Sequence, residues 1–429
     1  MWPILRSWKP GAFLDRQNLL KEMHCGTDLS SKGPHRQSRT GLQNKSRDGW
    51  SHLNTLPWRI TWRKYLPALA VIVISLLELD SDLQSASARA NWKQDWEATQ
   101  RAAEKEGRLI IYGPRSADQQ QLYSENFQQA FPRIKVNFSA GRMSEVISRI
   151  MAEQRAGVRQ ADLVLGGTDI LLGTLKGKGL LQPIRPSLLL PEVLDTVAWF
   201  RGRLWFADNE DKFVPMWRAV PYTAACINTN LVKASEMKSY WDLLQPKWKS
   251  KIVSQDLRIG SARNQMYTVY IRKDLGPDYL KRLYGEMDIT ISRNLAQISD
   301  WIGAGKFAVA IGGIDCNDLA VKGLPVAPVH FEGIAAVGAG TDAVSWLASS
   351  RNSNAAKVFL NWILSREGQM QYQKLTHENS LRIDIPKEGI VDPFSILDPK
   401  REYIFTGLEE YKDKINEFRP WLESLATKK

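Results

Sequence analysis

RLIIYGPRSADQQQLYSENFQQAFPRIKVNFSAGRMSEVISRIMAEQRAGVRQADLVLGGTD (Arg108–Asp169) alternates two kinds of segment. LIIYG (Leu109–Gly113), IKVNFS (Ile134–Ser139) and ADLVLGG (Ala161–Gly167) are apolar runs of strand length, whereas Asp118–Phe131 and Ser144–Ala156 repeat their apolar residues at helical spacing. Pro132 stops the first of these helices. The order βαβαβ predicts a parallel sheet with helices on both faces.

Working outward, Trp92–Glu106 reads as an amphipathic helix ended by Gly107. On the other side, an irregular stretch from Pro183 to Pro221 holds Trp199, Trp205 and Trp217, and YTAACINTNLV (Tyr222–Val232) reads as one long strand. A second βα series follows. Its strands are Lys251–Asp256, Asp288–Arg293 and Phe307–Gly313, with helices Trp241–Leu244, Ala262–Leu275 and Leu295–Ala304. A strand near Gly333–Ala339 and helices Asn354–Leu364 and Glu367–Tyr372 complete an α/β chain of two lobes.

The chain has 429 residues, enough for two or three domains at roughly 100–200 residues each. Its 43% apolar and 24% charged content excludes a disordered or fibrous protein. The net charge of +12 is unevenly spread: the first 90 residues carry 13 Lys+Arg against 7 Asp+Glu, and the remaining 339 carry 45 against 39. A basic excess packed into the first fifth marks an extension or targeting region rather than a nucleic-acid groove, so no nucleic-acid partner is expected.

Arg59, Arg63 and Lys64 precede an apolar run from Leu66 to Leu77, which at about 12 residues is too short to span ~30 Å of hydrocarbon. It fits the apolar region of a secretory signal. Ala88-Arg89-Ala90 offers small side chains at the cleavage positions, so residues 66–90 are expected to be removed after Ala90, together with an N-terminal extension over 1–65. For residues 1–58 two origins stay open, a genuine extension or a leader that is not translated. The protein is expected in the periplasm.

Cys25, Cys226 and Cys316 show no CxxC spacing, so no zinc site is written locally. After export, Cys226 and Cys316 either pair or remain small buried thiols.

In parallel sheets, ligands collect beyond the carboxyl ends of the strands, where helix N-termini offer N–H groups. In the first lobe these loops hold Arg115 and Ser116, Arg142, and Gly167-Thr168-Asp169; in the second they hold Ser261 and Gly312-Gly313-Ile314-Asp315. Arg115 and Arg142 are natural clamps for a carboxylate or phosphate. Thr168 and Asp169 suit a helix cap, and Asp315 either receives an amine or hydroxyl or caps the next helix. No catalytic set emerges: His330 and His377 are the only histidines after residue 90, no GxSxG elbow or GxGxxG is present, and GAGK (Gly303–Lys306) lacks the other residues of a P-loop. Neither a cofactor nor a transition-metal site is expected.

AEKEGRLIIYG (Ala103–Gly113), ADLVLGGTDILLGTLKGKGLLQPI (Ala161–Ile184), INTNLV with SYWDLLQPKWKSKIV downstream (Ile227–Val253), ISDWIGAGKFAVAIG (Ile298–Gly312) and NAAKVFLNWILSREGQ (Asn354–Gln369) resemble the periplasmic type II solute-binding proteins of ferric-iron-type ABC importers. The resemblance runs from about residue 92 to about residue 390. It implies two α/β lobes joined by two crossover strands, 91–222 with 332–429 against 223–331, the first crossover being Tyr222–Asn228 and the second lying near His330–Ala336. It also implies a non-enzymatic monomer that closes on a small-molecule solute and hands it to an ABC permease in the inner membrane, with Tyr222 at the solute.

Iron-holding members place an adjacent tyrosine pair after the strand matching FAVAIGG, where this chain has Ile314-Asp315 followed by Cys316. The histidine some carry after the first strand is replaced by Arg115-Ser116. The expected solute is therefore a small polar organic anion. The alternatives are a ferric-ion or metal-chelate receptor using Asp315 and Asp169, an enzyme on the same scaffold, and a membrane-tethered sensor that keeps Leu66–Leu77.

Overall fold

A computed structural model describes residues 91–339, 342–390 and 392–426. The expected extension (1–65) and signal segment (66–90) lie outside the described residues. The first part of the chain runs through helix α1 (91–106), β1 (Arg108–Pro114), helix α2 (117–130), β2 (Lys135–Gly141), α3 (Met143–Arg155), β3 (Leu163–Gly166) and β4 (Leu181–Gln182). The middle comprises β5 (Ala219–Pro221), β6 (Ala225–Asn228), β7 (Ile252–Gln255), α4 (Gly260–Tyr270), α5 (Gly276–Glu286), β8 (Thr290–Ser292), α6 (Leu295–Gly303), β9 (Val309–Ile311), α7 (Cys316–Val321) and β10 (Val326–Val329). The last part holds β11 (Ala335–Ala339), β12 (Ala343–Leu347), α8 (Ser353–Leu364), α9 (Arg366–Thr376), β13 (Tyr403–Phe405) and α10 (Lys412–Ala426).

The first sheet has the order β2-β1-β3-β12-β4. β1 runs parallel to β2 and β3, as the βαβαβ pattern requires, and its Leu109, Ile111 and Tyr112 are buried because helices cover both faces. Phe127 of α2 meets Phe359 and Trp362 of α8 at ring-centroid distances of 5.2 and 5.3 Å. β12 returns from late in the chain and pairs antiparallel with β3.

The second sheet, β10-β6-β9-β7-β8, is mixed, with β7 parallel to β8 and β9 and β6 antiparallel to β9 and β10. It has its own core, which includes Ile227, Ile252, Tyr279, Leu283 and Val309. Two separately cored sheets give the two-lobed α/β architecture expected from the sequence.

Between them lies a small sheet of order β13-β11-β5. Of the single strand expected over Tyr222–Val232, only Ala225–Asn228 is strand, as β6 of the second sheet, and β5 of the small sheet precedes it at Ala219–Pro221. The backbone changes partner across Tyr222–Ala224: the Tyr222 N–H donates to Ala336 O at 2.9 Å, and the Ala224 N–H donates to Val329 O at 3.0 Å. Asn228 ends the run, its side-chain oxygen accepting from the Asn230 N–H at 3.0 Å to form a turn. The return crossing, from β10 to β11, is held by Arg272 Nη1 on Ile334 O at 2.8 Å and Arg401 Nε on Gly333 O at 2.9 Å.

Cys226 and Cys316 form a disulfide that joins β6 to the first turn of α7. Of the two readings the sequence left open, the paired one is correct.

The lobe assignment read from the sequence places all of 332–429 with the first sheet, but α10 packs on the second core. Phe418 and Leu422 are buried there, with the Phe418 ring 5.5 Å from Tyr267 and 5.1 Å from Tyr270. Ile415, Phe418 and Leu422 recur every three or four residues, and this apolar stripe covers the aromatic edge of α4.

Candidate functional site

Where the chain leaves the small sheet after β5, a cavity of about 230 Å³ opens between Gly167, Thr168 and Asp169 after β3, Tyr222 on the crossing, and Arg263, Asn264 and Tyr267 on α4. Thr406 and Gly407 after β13 and Ile415, Phe418 and Arg419 on α10 complete the wall. That space equals about seven or eight waters. Four of the residues named from sequence, Gly167, Thr168, Asp169 and Tyr222, are thus brought together.

Packing around the end of β3 and along β11 shapes this part of the wall. A Cβ at Gly166 would lie 2.5 Å from Met143 Cε, so glycine lets α3 approach the strand end closely. The helical turn beginning at Thr168 follows at once, and Thr168 is 1% exposed. Its hydroxyl is buried and has no hydrogen-bond partner among the described residues. A buried hydroxyl without a partner is costly unless something else supplies the bond. The Tyr222 ring lies against Gly338 of β11, where a Cβ would come within 2.8 Å of its hydroxyl oxygen. Burial, with a smaller contribution from the nearby Asp169 charge, pushes the Tyr222 phenol up to about 12, so it is a neutral donor at physiological pH.

Arg115, Ser116, Arg142, Gly312, Gly313 and Asp315 are not among the residues lining this cavity. Arg115 and Arg142 sit together at the ends of β1 and β2, where Glu145 Oε2 accepts from Arg115 Nη2 at 3.4 Å and from the Arg142 N–H at 3.1 Å. Both arginines are exposed. Ser116 caps α2, accepting from the Gln119 N–H at 3.3 Å. Ser261 lies in the first turn of α4. The Gly312 and Gly313 amides both donate to Gln265 Oε1, at 2.8 and 3.1 Å. Gln265 in turn donates to Thr223 O at 2.6 Å and Ala224 O at 3.0 Å, so it stitches the crossing strand to the β9 turn. Asp315 caps α7 by accepting from the Asp318 N–H at 3.0 Å, one of its two expected roles.

Sequence reasoning missed Arg263, Asn264, Tyr267 and all of the α10 wall. Arg263 stands two residues beyond the flagged Ser261, so the loop was found and the side chain was not. Nothing in the α10 stripe says which lobe it will cover.

Beneath the first lobe's loops, Asp342 is buried and accepts from Tyr372 Oη at 2.8 Å and from Gln119 Nε2, and forms an ion pair with Arg218 at 3.4 Å; Arg218 also meets Glu378 at 2.6 Å. Burial pushes the Asp342 carboxyl up, and the Arg218 charge opposes it. This network ties α2, β12 and α9 together. Among the described residues no group of three or more His, Cys, Asp or Glu is arranged to hold a metal ion.

The chain thus has two lobes, two crossings and a cavity beside the first crossing. Residues 114–370 match the bacterial extracellular solute-binding protein family, and the chain belongs to it. A probable ABC transporter periplasmic-binding protein, y4fP of Sinorhizobium fredii, is 26% identical over 275 residues, which are 59% of this chain and 68% of that protein. Among solved structures, a Trichodesmium protein in complex with iron and citrate is similar with a TM-score of 0.57 and 19% identity, covering 74% of this chain and 99% of that one. A spermidine/putrescine ABC transporter substrate-binding protein from Streptococcus pneumoniae is similar with a TM-score of 0.54 and 15% identity, over the same shares. At these identities the likeness is one of fold. No helix among the described residues is long and apolar enough to cross a membrane.

Proposed function

We propose that this protein is the periplasmic solute receptor of an ABC importer, and that it captures a small organic anion bearing hydroxyl or ammonium groups without altering it chemically. The reading rests on the cavity beside Tyr222, and on one observation above all: the buried Thr168 hydroxyl there has no hydrogen-bond partner among the described residues. A solute that bonds this hydroxyl removes the cost of leaving it unmade. Arg263 and Arg419 against the single Asp169 give the lining an excess of positive charge, which favours an anion. The name of the y4fP relative supports the importer assignment.

In this reading Gly167, Thr168, Asp169 and Tyr222 contact the solute. The body carrying the first sheet and the body carrying the second close on it about the β5–β11 pair, which removes water and strengthens each polar contact. The receptor acts as a monomer, is matured by cleavage after Ala90, and delivers its solute to an inner-membrane permease.

Titration calorimetry with citrate, glucose 6-phosphate, putrescine and ferric ion tests the proposal. Saturable binding of an organic anion at one site per chain is expected, and Thr168→Val is expected to weaken it about tenfold. Stoichiometric binding of ferric ion alone, lost in Asp315→Ala, would overturn the organic-anion reading.

A further inference from the structure

The matched family segment ends at residue 370, and α10 lies beyond it. This helix is nevertheless anchored to both lobes. At its start, Glu409 holds the first lobe: its N–H donates to Ala207 O at 2.8 Å, and its carboxylate accepts from Lys176 Nζ at 2.6 Å and from the Asn209 N–H at 3.0 Å. Two residues later Tyr411 O accepts from Tyr267 Oη of α4 at 2.8 Å. Phe418 and Trp421 then pack against Tyr270, at 5.1 and 4.9 Å between ring centroids. The strap runs past the cavity and turns Ile415, Phe418 and Arg419 toward it.

The two arginines of the cavity come from different places, Arg263 from α4 of the second lobe and Arg419 from the strap. Among the described residues neither has an ion-pair partner, although guanidinium–carboxylate pairs are frequent elsewhere in this chain, as at Arg258–Asp256 and Arg382–Asp384. Asp169, which is exposed, faces the same space from the first lobe. The buried Thr168 hydroxyl without a partner is an independent sign that the space takes a polar ligand.

We propose that α10 is a working wall of the solute site, in which Arg419 and Arg263 clamp the anionic group of the solute while Asp169 accepts from a hydroxyl or ammonium at its other end. This rests on the receptor reading above. It goes further in assigning the solute's polarity across the cleft and in making a helix outside the matched family segment a determinant of specificity. A planar guanidinium binds a carboxylate or phosphate through two parallel N–H bonds, so Arg419 acts by geometry as well as charge. Arg419 and Arg263 are therefore binding residues, and Glu409 and Tyr411 are positioning residues.

The test titrates wild type, Arg419→Ala, Arg419→Lys and Glu410→Ala with citrate and with glucose 6-phosphate, alongside thermal melting of each. Arg419 is exposed and its removal is expected to leave melting unchanged. Arg419→Ala is expected to weaken binding of the anion by about 10- to 100-fold. Arg419→Lys should recover part of this, and the Glu410→Ala control should bind as wild type does. Wild-type affinity in Arg419→Ala would overturn this inference and leave the receptor reading standing. If wild type itself binds neither probe, the organic-anion reading fails and this inference fails with it.

Discussion

Cys226 in β6 and Cys316 at the start of α7 are joined across 90 residues of sequence, with their Cα atoms 5.5 Å apart. Both side chains are fully buried, in a cluster with Val253, Ile298 and Ala310. The bond fixes the turn that carries Asp315 to the strand that enters the second lobe. Closing so long a loop restricts the unfolded chain, which in the chain-entropy account stabilises by about 3–5 kcal/mol. Urea denaturation with and without reductant should show a loss in that range, and an unchanged midpoint would contradict it.

The Asp342 network sets a second expectation. Removing one partner from a buried charge pair strands the other in the interior. Asp342→Ala should therefore lose about 3–5 kcal/mol, because Tyr372 and Gln119 donate to that carboxylate and Arg218 pairs with it. Denaturant midpoints at neutral pH check this.

Gly338→Ala tests the wall of the site. The added methyl would meet the Tyr222 phenol at 2.8 Å, so the ring must move out of its place beside the cavity. Overpacking of this kind costs about 1–3 kcal/mol. Weaker citrate or glucose 6-phosphate binding should accompany the stability loss. A variant as stable as wild type and binding as well would show that Tyr222 is not held where it is described.

Asp256 gives a pH dependence with a definite sign. Side-chain hydrogen bonds from Arg258, with Arg293 adding to them, hold its carboxyl well below the usual range. A folded-state value below the unfolded one of about 3.9 means that this stabilisation is fully present above about pH 4 and fades as pH falls further. Both arginines are largely exposed, so solvent screening keeps the contribution to about 1–2 kcal/mol. Asp256→Asn should lower stability at pH 7, and the gap to wild type should narrow below pH 4.

Much of the fold could be read from the chain because β1, β3 and β9 are buried on both faces and appear as apolar runs. β12 and β13 escaped notice because each pairs with a strand from far away in sequence. The shortening of Tyr222–Val232 to β6 is likewise a matter of partners: β11 pairs with Ala219–Pro221 and β10 with Ala225–Asn228, and the residues between them change sheet.

The site was legible in part for the same kind of reason. Glycine and cap residues mark the ends of strands, and this located Gly167, Thr168 and Asp169. It also located the Gly312 turn, whose amides are taken by Gln265 from a helix face that no turn signal reveals. Arg263 and Arg419 reach the cavity through the packing of two helices, and a charged residue on a helix gives no sign of what it faces.

The most direct test of a receptor that retains an organic anion beside Thr168 and Tyr222 is mass spectrometry of the small molecules released when purified protein is denatured. The account predicts one organic anion at close to one per chain in wild type, and its loss in Asp169→Arg, where a larger side chain fills the cavity. Ferric ion as the sole species released at that stoichiometry, or the same anion retained equally by both proteins, would contradict it.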